Sequence, residues 1–440
     1  MPTLDSDVIV ARSTPPGRGA LAVVRLSGVG ARMLAETLCP GAPSWVARRA
    51  SLRLVRDARG RVLDDALVTW MPGPRTYTGE DVVEVSCHGN PALVDVVLSR
   101  CVALGARPAR PGEFTRRAVL GGRLDLLQAE AIDGLIRART MAGVHAARSG
   151  VDGILADTLA VLRDRLLDAG AELEARLDHP GEDLGDLDDA TLAADLRAIA
   201  HDCTTLAQTW GGVRRRIEGA TVALVGAVNA GKSSLFNHLV GSRRALVSAE
   251  PGTTRDAVER TVDWDGVAVT FVDTAGLREG AGPIEAAGIA LGSALADAAD
   301  LRLLLFHPSH CPGWKHLPPP TWTVATHADL PLADSSEVSA DFVVSNATST
   351  GLPQLRVALD NWLSDDPGGA AVVGSQRQAD LLLKIAERAV EAAGTLLGPI
   401  GPVVAAEAVT EALERLAAIH GHDVREDVLD RLFARFCIGK

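Results

Sequence analysis

The sequence predicts a multidomain chain of mixed class. An α+β N-terminal domain precedes a helical domain that is split in two, and an α/β nucleotide-binding unit is inserted between its halves. Three observations carry this. A glycine-rich loop from Gly226 to Ser234 joins an apolar run, Thr221 to Val225, to a segment with helical spacing. Helical periodicity precedes and follows the strand–helix alternation around that loop, and a single insertion is the economical explanation. The stretch up to Arg123 reads as short apolar strands between Gly/Pro-rich loops.

The bulk properties agree with such a chain. At 440 residues and 47% hydrophobic content, several packed cores are available. No apolar run reaches the roughly 18 residues that cross a bilayer. Met1 to Val10 carries two acids and no basic residue, so no secretory leader is expected. Cysteines at 39, 87, 101, 203, 311 and 437 form no C-x-x-C pair. That spacing predicts free thiols in a reducing cytoplasm rather than a disulfide scaffold or a zinc site. The net charge of -12 is uneven, because residues 1–123 hold 17 arginines, no lysine and 11 acids, a balance of +6. An anionic ligand is therefore expected in the N-terminal part. Aromatics make up only 3%, which argues against a base-stacking RNA platform.

Taken in order, Asp7 to Ala11 and Ala20 to Arg25 read as buried strands around the loop Thr14-Pro15-Pro16-Gly17-Arg18-Gly19. Ala66 to Trp70 and Val82 to Ser86 are further strands, ended by polar loops at 75–81 and 88–91. Helices take over from Leu124 to about Leu177, with Leu127, Ala131, Leu135 and Ile136 on one stripe and Ile154, Leu159, Leu162 and Leu166 continuing the pattern. An acidic break at 180–189 precedes a helix from Ala190 to Trp210, and Gly211-Gly212 with Arg214-Arg215-Arg216 reads as a hinge with a solvated basic end. Strands at 258–262 and 267–272 flank Asp265-Gly266, a hairpin signal. Leu301 to Phe306, Thr321 to Thr326 and Phe342 to Ser345 complete the strands, and amphipathic helices follow at 375–396, 403–419 and 424–436. The expected domains are 1–122, a helical part at 123–214, an inserted unit at 215–365 and a second helical part at 366–440.

The loop's chemistry is that of a phosphate cradle. Gly226 and Gly231 let the backbone curl so that its amides face an anion, and the helix N-terminus adds partial positive charge. Lys232 reaches between the last two phosphates, and the Ser233 hydroxyl suits Mg2+. Thr254, in the polar loop 251–256, is the residue chosen to complete the Mg2+ shell. Asp273-Thr274-Ala275-Gly276 follows a strand; Asp273 would hold Mg2+ through water, and the Gly276 amide would sense the terminal phosphate. Each motif alone is weak, but three in this order at strand ends indicate a switch nucleotidase. Leu277 cannot orient a water, so the catalytic group must come from elsewhere. Glu285 is the nearest choice, although a carboxylate at a helix start needs no catalytic reason. The base side is eroded. Where Asn-Lys-x-Asp marks a guanine site, this chain has Thr326-His327-Ala328-Asp329, and Ser345-Asn346-Ala347 replaces Ser-Ala-Lys. Asp329 keeps the guanine contact, His327 is placed to stack on the base, and Thr326 replaces asparagine poorly. Three histidines and Cys311 within 307–320 read as a proline-rich surface loop rather than a metal site.

These residues together resemble the MnmE (TrmE) family of tRNA-modification GTPases over nearly the whole chain. The resemblance rests on Thr14-Pro15-Pro16-Gly17-Arg18-Gly19, Tyr77-Thr78-Gly79-Glu80-Asp81, the run from Arg110 to Thr115, the run from Leu124 to Ile132, Asn229-Ala230-Gly231-Lys232-Ser233-Ser234, Gly252 to Asp256, Asp273 to Glu279, and Phe436 to Lys440. It implies an N-terminal domain that binds folate and dimerises, a split helical domain and an inserted G domain. It implies GTP, Mg2+ and K+ as ligands, and a 5-formyl- or methylene-tetrahydrofolate as one-carbon donor. It also implies an FAD-dependent partner, MnmG, in a heterotetramer that reaches tRNA and modifies its wobble uridine, in the cytoplasm and without a membrane. By the same resemblance, Asn229, Ser248, Glu250 and Thr253 match the K+ positions and Glu285 the catalytic glutamate, with K+ supplying an arginine finger's charge. Arg25, Glu84, Arg123 and Lys440 match folate positions, and Cys437 matches the terminal cysteine, a thiol near the folate. Two rival readings stand beside this one: a ribosome-assembly GTPase that binds RNA, and a folate-binding scaffold whose base loops no longer hold GTP.

Overall fold

A computed structural model describes residues 7–41, 44–178, 188–227, 229–241, 244–245, 259–273, 297–307, 320–330, 340–364, 371–396, 401–421 and 426–439. It divides into two compact units, Met1–Ala129 with Ala417–Lys440, and Glu130–Leu416.

The first unit is built on a sheet of order β3-β4-β5-β2-β1-β6, from β1 (Ile9–Arg12), β2 (Leu21–Ser27), β3 (Ser51–Arg56), β4 (Val62–Met71), β5 (Val82–His88) and β6 (Arg107–Pro108). Only the β1–β6 pairing is parallel. Period-2 patterning places Ala22, Val24 and Leu26 of β2 wholly inside, with Val83 and Val85 of β5 beside them. Helices α1 (Ala31–Leu38) and α2 (Pro91–Ala103) contribute Leu34, Leu38, Val94 and Val97 to the same core. The polar loop expected at 88–91 is in fact a helix start. The Asn90 side chain accepts from the Ala92 amide at 2.9 Å, and Pro91 opens the first turn. Helix α1 buries Ala31, Leu34, Ala35 and Leu38 at i, i+3, i+4 and i+7, and the two helices supply the α part of the α+β domain expected here. Past α3 (Glu113–Leu120), the C-terminal helix, Glu426–Phe433, packs Leu429 and Phe433 against Leu126 and Phe436. Gly112 (φ 64°) is required there, because a Cβ would lie 2.7 Å from the Phe433 carbonyl oxygen.

The second unit begins within α4 (Leu126–Arg137) and continues through α5 (Met141–Val151), α6 (Ile154–Asp178) and α7 (Asp189–Glu218). Then come β7 (Ala220–Gly226), α8 (Lys232–Gly241), β8 (Arg244–Ala245), β9 (Glu259–Trp264), β10 (Val267–Asp273), β11 (Leu301–Phe306), β12 (Thr321–Ala325), β13 (Phe342–Val343) and α9 (Leu352–Ser364). Helices α10 (Gln376–Thr395) and α11 (Gly401–His420) follow, and α12 (Glu426–Phe433) is the C-terminal helix of the first unit. The sheet order is β13-β12-β11-β7-β10-β9-β8. The strands from β10 through β7 and β11 to β13 run parallel, while β9 and β8 turn back antiparallel. All six residues of β11 are buried, as befits a central strand covered on both faces.

Helix α7 corrects the expected hinge. It runs unbroken through Gly211-Gly212 to Glu218. Gly212, Val213 and Ile217 are buried, with Val213 and Ile217 in a cluster with Ala147. Tertiary packing of that kind outweighs the roughly 1 kcal/mol that each glycine costs a helix. The basic triplet is not a solvated end either. Arg214 pairs with Asp300 at 2.5 Å, and the 8%-exposed Arg215 lies over the Trp362 ring at 4.9 Å. The two chain crossings of the nucleotide-binding sheet are fastened by α4. Arg137 binds Glu218, where the chain enters, at 3.1 Å. Glu130, only 6% exposed, accepts from Ser375 Oγ and Arg377 Nε at 2.9 Å and from Gln378 Nε2 at 2.6 Å, where the chain returns.

Candidate functional site

The phosphate loop is set by two close approaches. Gly226 ends β7 opposite Leu305 of β11, and a Cβ there would stand 2.2 Å from the Leu305 carbonyl oxygen. Only glycine lets the chain leave the sheet at φ 153° so close to a neighbouring strand. Asn229 then takes the left-handed conformation at φ 62°, which asparagine tolerates better than other side-chain-bearing residues. Gly231 (φ 81°) hands over to α8, whose first turn carries Lys232, Ser233 and Ser234.

Lys232 is 5% exposed, and its Nζ donates to the carbonyls of Gly226 at 2.8 Å and Ala227 at 2.6 Å. Its charge is thus held over the mouth of the loop. Ser233 Oγ donates to Asp273 Oδ2 at 2.7 Å, bringing the end of β10 to the start of α8. A hydroxyl and a carboxylate at hydrogen-bond distance are hard oxygen donors of the kind that suit Mg2+. The expected positions Ser248, Glu250, Thr253, Thr254, Thr274, Ala275, Gly276, Glu285 and Lys440 lie outside the described residues. So does most of the His/Pro segment, 308–319.

The base-side loops converge on the same end of the sheet. Gly231, Ser234, His238, His327, Asp329, Asn346 and Ala347 line a cleft of about 450 Å³. Asp329 accepts from Ser345 Oγ at 2.5 Å, and Ser345 is fully buried. That hydrogen bond, with the residue's own amide, holds the Asp329 carboxyl below the usual carboxylate range. His327 sits at φ 59° with its ring centroid 5.0 Å from that of His307. Its Nδ1 is 2.9 Å from Thr326 Oγ1, and that hydroxyl is also 3.1 Å from the Phe306 carbonyl oxygen. Asn346 reaches across to the Gly231 carbonyl with Nδ2 at 3.4 Å. Sequence reasoning singled out Asp329 and His327 but gave Ser345 and Asn346 no task. Their partners are residues far along the chain, which spacing does not disclose.

In the first unit, Arg25 and Glu84 face each other across β2 and β5. Arg25 donates through Nε and Nη2 to Oε1 alone, at 2.9 and 2.8 Å, and Oε2 has no hydrogen bond among the described residues. The guanidinium lies 5.8 Å from both the Tyr77 and Phe114 ring centroids. Its Nη1 is 3.3 Å from the Gly439 carbonyl oxygen, so the C-terminal tail ends beside it. Gly439 (φ 91°) permits that approach, since a Cβ would lie 2.2 Å from the Arg12 carbonyl oxygen. The exposed Cys437 is in this tail, its carbonyl 3.4 Å from the Gly112 amide. Arg123 is not paired with Glu84; its Nε donates to the Thr76 carbonyl at 3.2 Å, one residue from Tyr77. The same unit holds a network that sequence reading missed. Arg117, 3% exposed, binds Asp7 and Glu80, and Arg107 binds Asp7 and Glu113 at 2.7 and 2.6 Å.

Among the described residues no helix is long and apolar enough to cross a membrane, and no group of three His, Cys, Asp or Glu residues is placed to hold a metal. Two families match by sequence: "GTP-binding protein TrmE N-terminus" over residues 8–123, and "MnmE helical domain" over residues 126–437. A Myxococcus xanthus protein named "tRNA modification GTPase MnmE" is 43% identical, with all of both chains covered. Proteins of the same name from Methylobacterium radiotolerans and Thermus thermophilus are 43% and 39% identical, each over 99% of this chain and at least 99% of their own length.

Proposed function

The chain belongs to the MnmE family of tRNA modification GTPases and so is a GTP hydrolase that takes Mg2+; from that premise we propose that it is a K+-stimulated GTPase acting with an FAD-dependent MnmG partner on the wobble uridine of tRNA. The observation that supports this most is the phosphate loop with Asn229 held at φ 62° beside the Lys232–Gly226 and Ser233–Asp273 contacts.

In this reading Lys232 screens the charge of the last two phosphates, and the backbone of 229–232 binds their oxygens. Ser233 ligates Mg2+ and Asp273 takes it through water, with Thr254 as the further ligand. Asn229, Ser248, Glu250 and Thr253 hold K+, whose charge offsets what builds up on the phosphoryl oxygens. Glu285 orients the attacking water. Thr274, Ala275 and Gly276 belong to the loop that follows the terminal phosphate. Asp329, fixed by Ser345, accepts from the N–H edge of guanine.

The N-terminal unit binds a tetrahydrofolate, which supplies the one-carbon unit. Glu84 Oε2 is the acceptor left for the pterin N–H edge, and Arg25, Arg123 and Lys440 meet the glutamyl carboxylates. Cys437 lies at the same edge. The active assembly is a homodimer joined by MnmG into a heterotetramer in the cytoplasm.

The test compares GTP hydrolysis in KCl and NaCl for wild type and Asn229→Ala. Alanine at φ 62° is strained, so it slows both reactions through the loop itself. The ratio of the two rates isolates the cation. Wild type is expected to prefer KCl and the variant to lose that preference. Equal wild-type rates in both salts sink the K+ mechanism.

A further inference from the structure

We propose that Asn346 is the positioning residue that ties the nucleobase cleft to the phosphate loop, a task for which Thr326 is not built. The inference rests on the guanine-nucleotide reading of the site and adds to it the residue that couples its two halves.

Gly231 is where both base-side loops meet the phosphate loop. A Cβ placed on it would lie 3.2 Å from Asn346 Nδ2 and 3.7 Å from Thr326 Cβ and Cγ2. The Gly231 carbonyl starts α8 by accepting from Leu235 N at 3.0 Å, and its second lone pair takes Asn346 Nδ2 at 3.4 Å. Thr326 offers this carbonyl nothing. It is fully buried, its one hydroxyl proton goes to the Phe306 carbonyl at 3.1 Å, and its methyl faces Gly231. Its other contact is His327 Nδ1 at 2.9 Å, in the same loop. The threonine is therefore committed to its own loop.

The orientation of the Asn346 amide is determined. Turned over, its oxygen would face the Gly231 oxygen. As it stands, Oδ1 is buried without a hydrogen-bond partner among the described residues. Among the described residues the amide is therefore held by its single contact to the Gly231 carbonyl. Its neighbour Ser345 fixes Asp329 at 2.5 Å, so consecutive side chains of one loop hold the base-reading carboxylate and the end of the phosphate loop. The distance between the base and phosphate halves is set there.

A ligand that engages both halves should feel the loss of this tie, and a ligand that engages only the phosphate loop should not. The test uses the full chain and measures the Kd of GDP and of inorganic tripolyphosphate by displacement of a fluorescent GDP. Asn346→Ala is expected to weaken GDP about 3- to 10-fold, the worth of one lost hydrogen bond, with tripolyphosphate binding within about twofold of wild type. Thr326→Asn brings an amide to the same glycine from the other loop. It is expected to recover at least half of that loss in the Asn346→Ala background. Asn346→Asp, which sets an oxygen against the Gly231 oxygen, is expected to bind GDP more weakly than Asn346→Ala and does not depend on the rescue variant folding. GDP binding by Asn346→Ala at the wild-type level, or an equal loss for both ligands, overturns the proposal. A wild-type chain that does not bind GDP refutes the guanine-nucleotide reading beneath it.

Discussion

Asp329→Asn gives the sharpest test of base recognition, because the structure fixes which way the new amide points. Ser345 Oγ donates to Asp329 Oδ1 at 2.5 Å, and Ser345 Oγ accepts from the Thr348 amide at 3.1 Å. The serine proton is therefore aimed at residue 329. An asparagine there must keep its oxygen toward Ser345, and its NH2 faces the cleft. The N–H edge of guanine then meets a donor where it met a carboxylate. Losing one charge-assisted hydrogen bond, with a donor left facing donors, predicts GDP binding weaker by roughly 10- to 150-fold. Xanthine, which carries a 2-oxo in place of the 2-amino group, gains what guanine loses, so XDP is expected to bind the variant more tightly than GDP. Displacement of a fluorescent nucleotide by GDP and XDP measures both. An Asp329→Asn chain that binds GDP within threefold of wild type would refute the reasoning, and with it the role of Asp329.

Glu130→Ala removes a buried carboxylate that serves Ser375, Arg377 and Gln378, and leaves Arg377 without that partner at 18% side-chain exposure. Breaking a buried pair from one side costs about 3–5 kcal/mol, and partial hydration of Arg377 lowers this to roughly 2–4, read as a lower urea midpoint. A change under about 0.5 kcal/mol would mean the cluster does not fasten the chain there. Glu113 gives a pH prediction. Burial pushes its carboxyl up, but the Arg107 guanidinium, the Arg110 amide and Arg117 outweigh that and hold it below the usual range. Its folded pKa is depressed, so its contribution is complete above the unfolded value of about 4.3 and is lost as pH falls through the folded one. Glu113→Gln is expected to lower the denaturation midpoint at pH 7, and the gap to wild type is expected to narrow as pH falls below about 4.3; a gap that does not narrow assigns the loss to packing instead of charge.

The alternating half of the fold was open to reading from residues alone. Leu301–Phe306 is a strand from end to end as five apolar positions in six imply, and Asp265-Gly266 turns the β9–β10 hairpin. Both signals are local, and a local signal survives whatever packs around it. The errors came where a distant partner decides. Gly211-Gly212 reads as a break because the sequence carries their helix cost but not the burial of Val213 and Ile217 that repays it. Asn90-Pro91 is different, a local signal with two meanings: it reads as a loop, and a capping residue followed by proline is also how a helix begins.

The candidate site divides along the same line. Gly226, Lys232 and Asp273 were identifiable because phosphate and Mg2+ chemistry demands those residue types at set spacings along one strand–loop–helix run. The base cleft has no such run; it is assembled from two loops that touch at Gly231. Thr326 in place of asparagine therefore looked like a plain loss of function. In space an amide from Asn346, on the other loop, reaches Gly231, against which Thr326 sets only carbon. Judged position by position, a site built by converging loops will appear eroded whenever a contact has moved from one loop to the other. What selection by a nucleotide constrains is the set of donors and acceptors around Gly231, not the loop that supplies them.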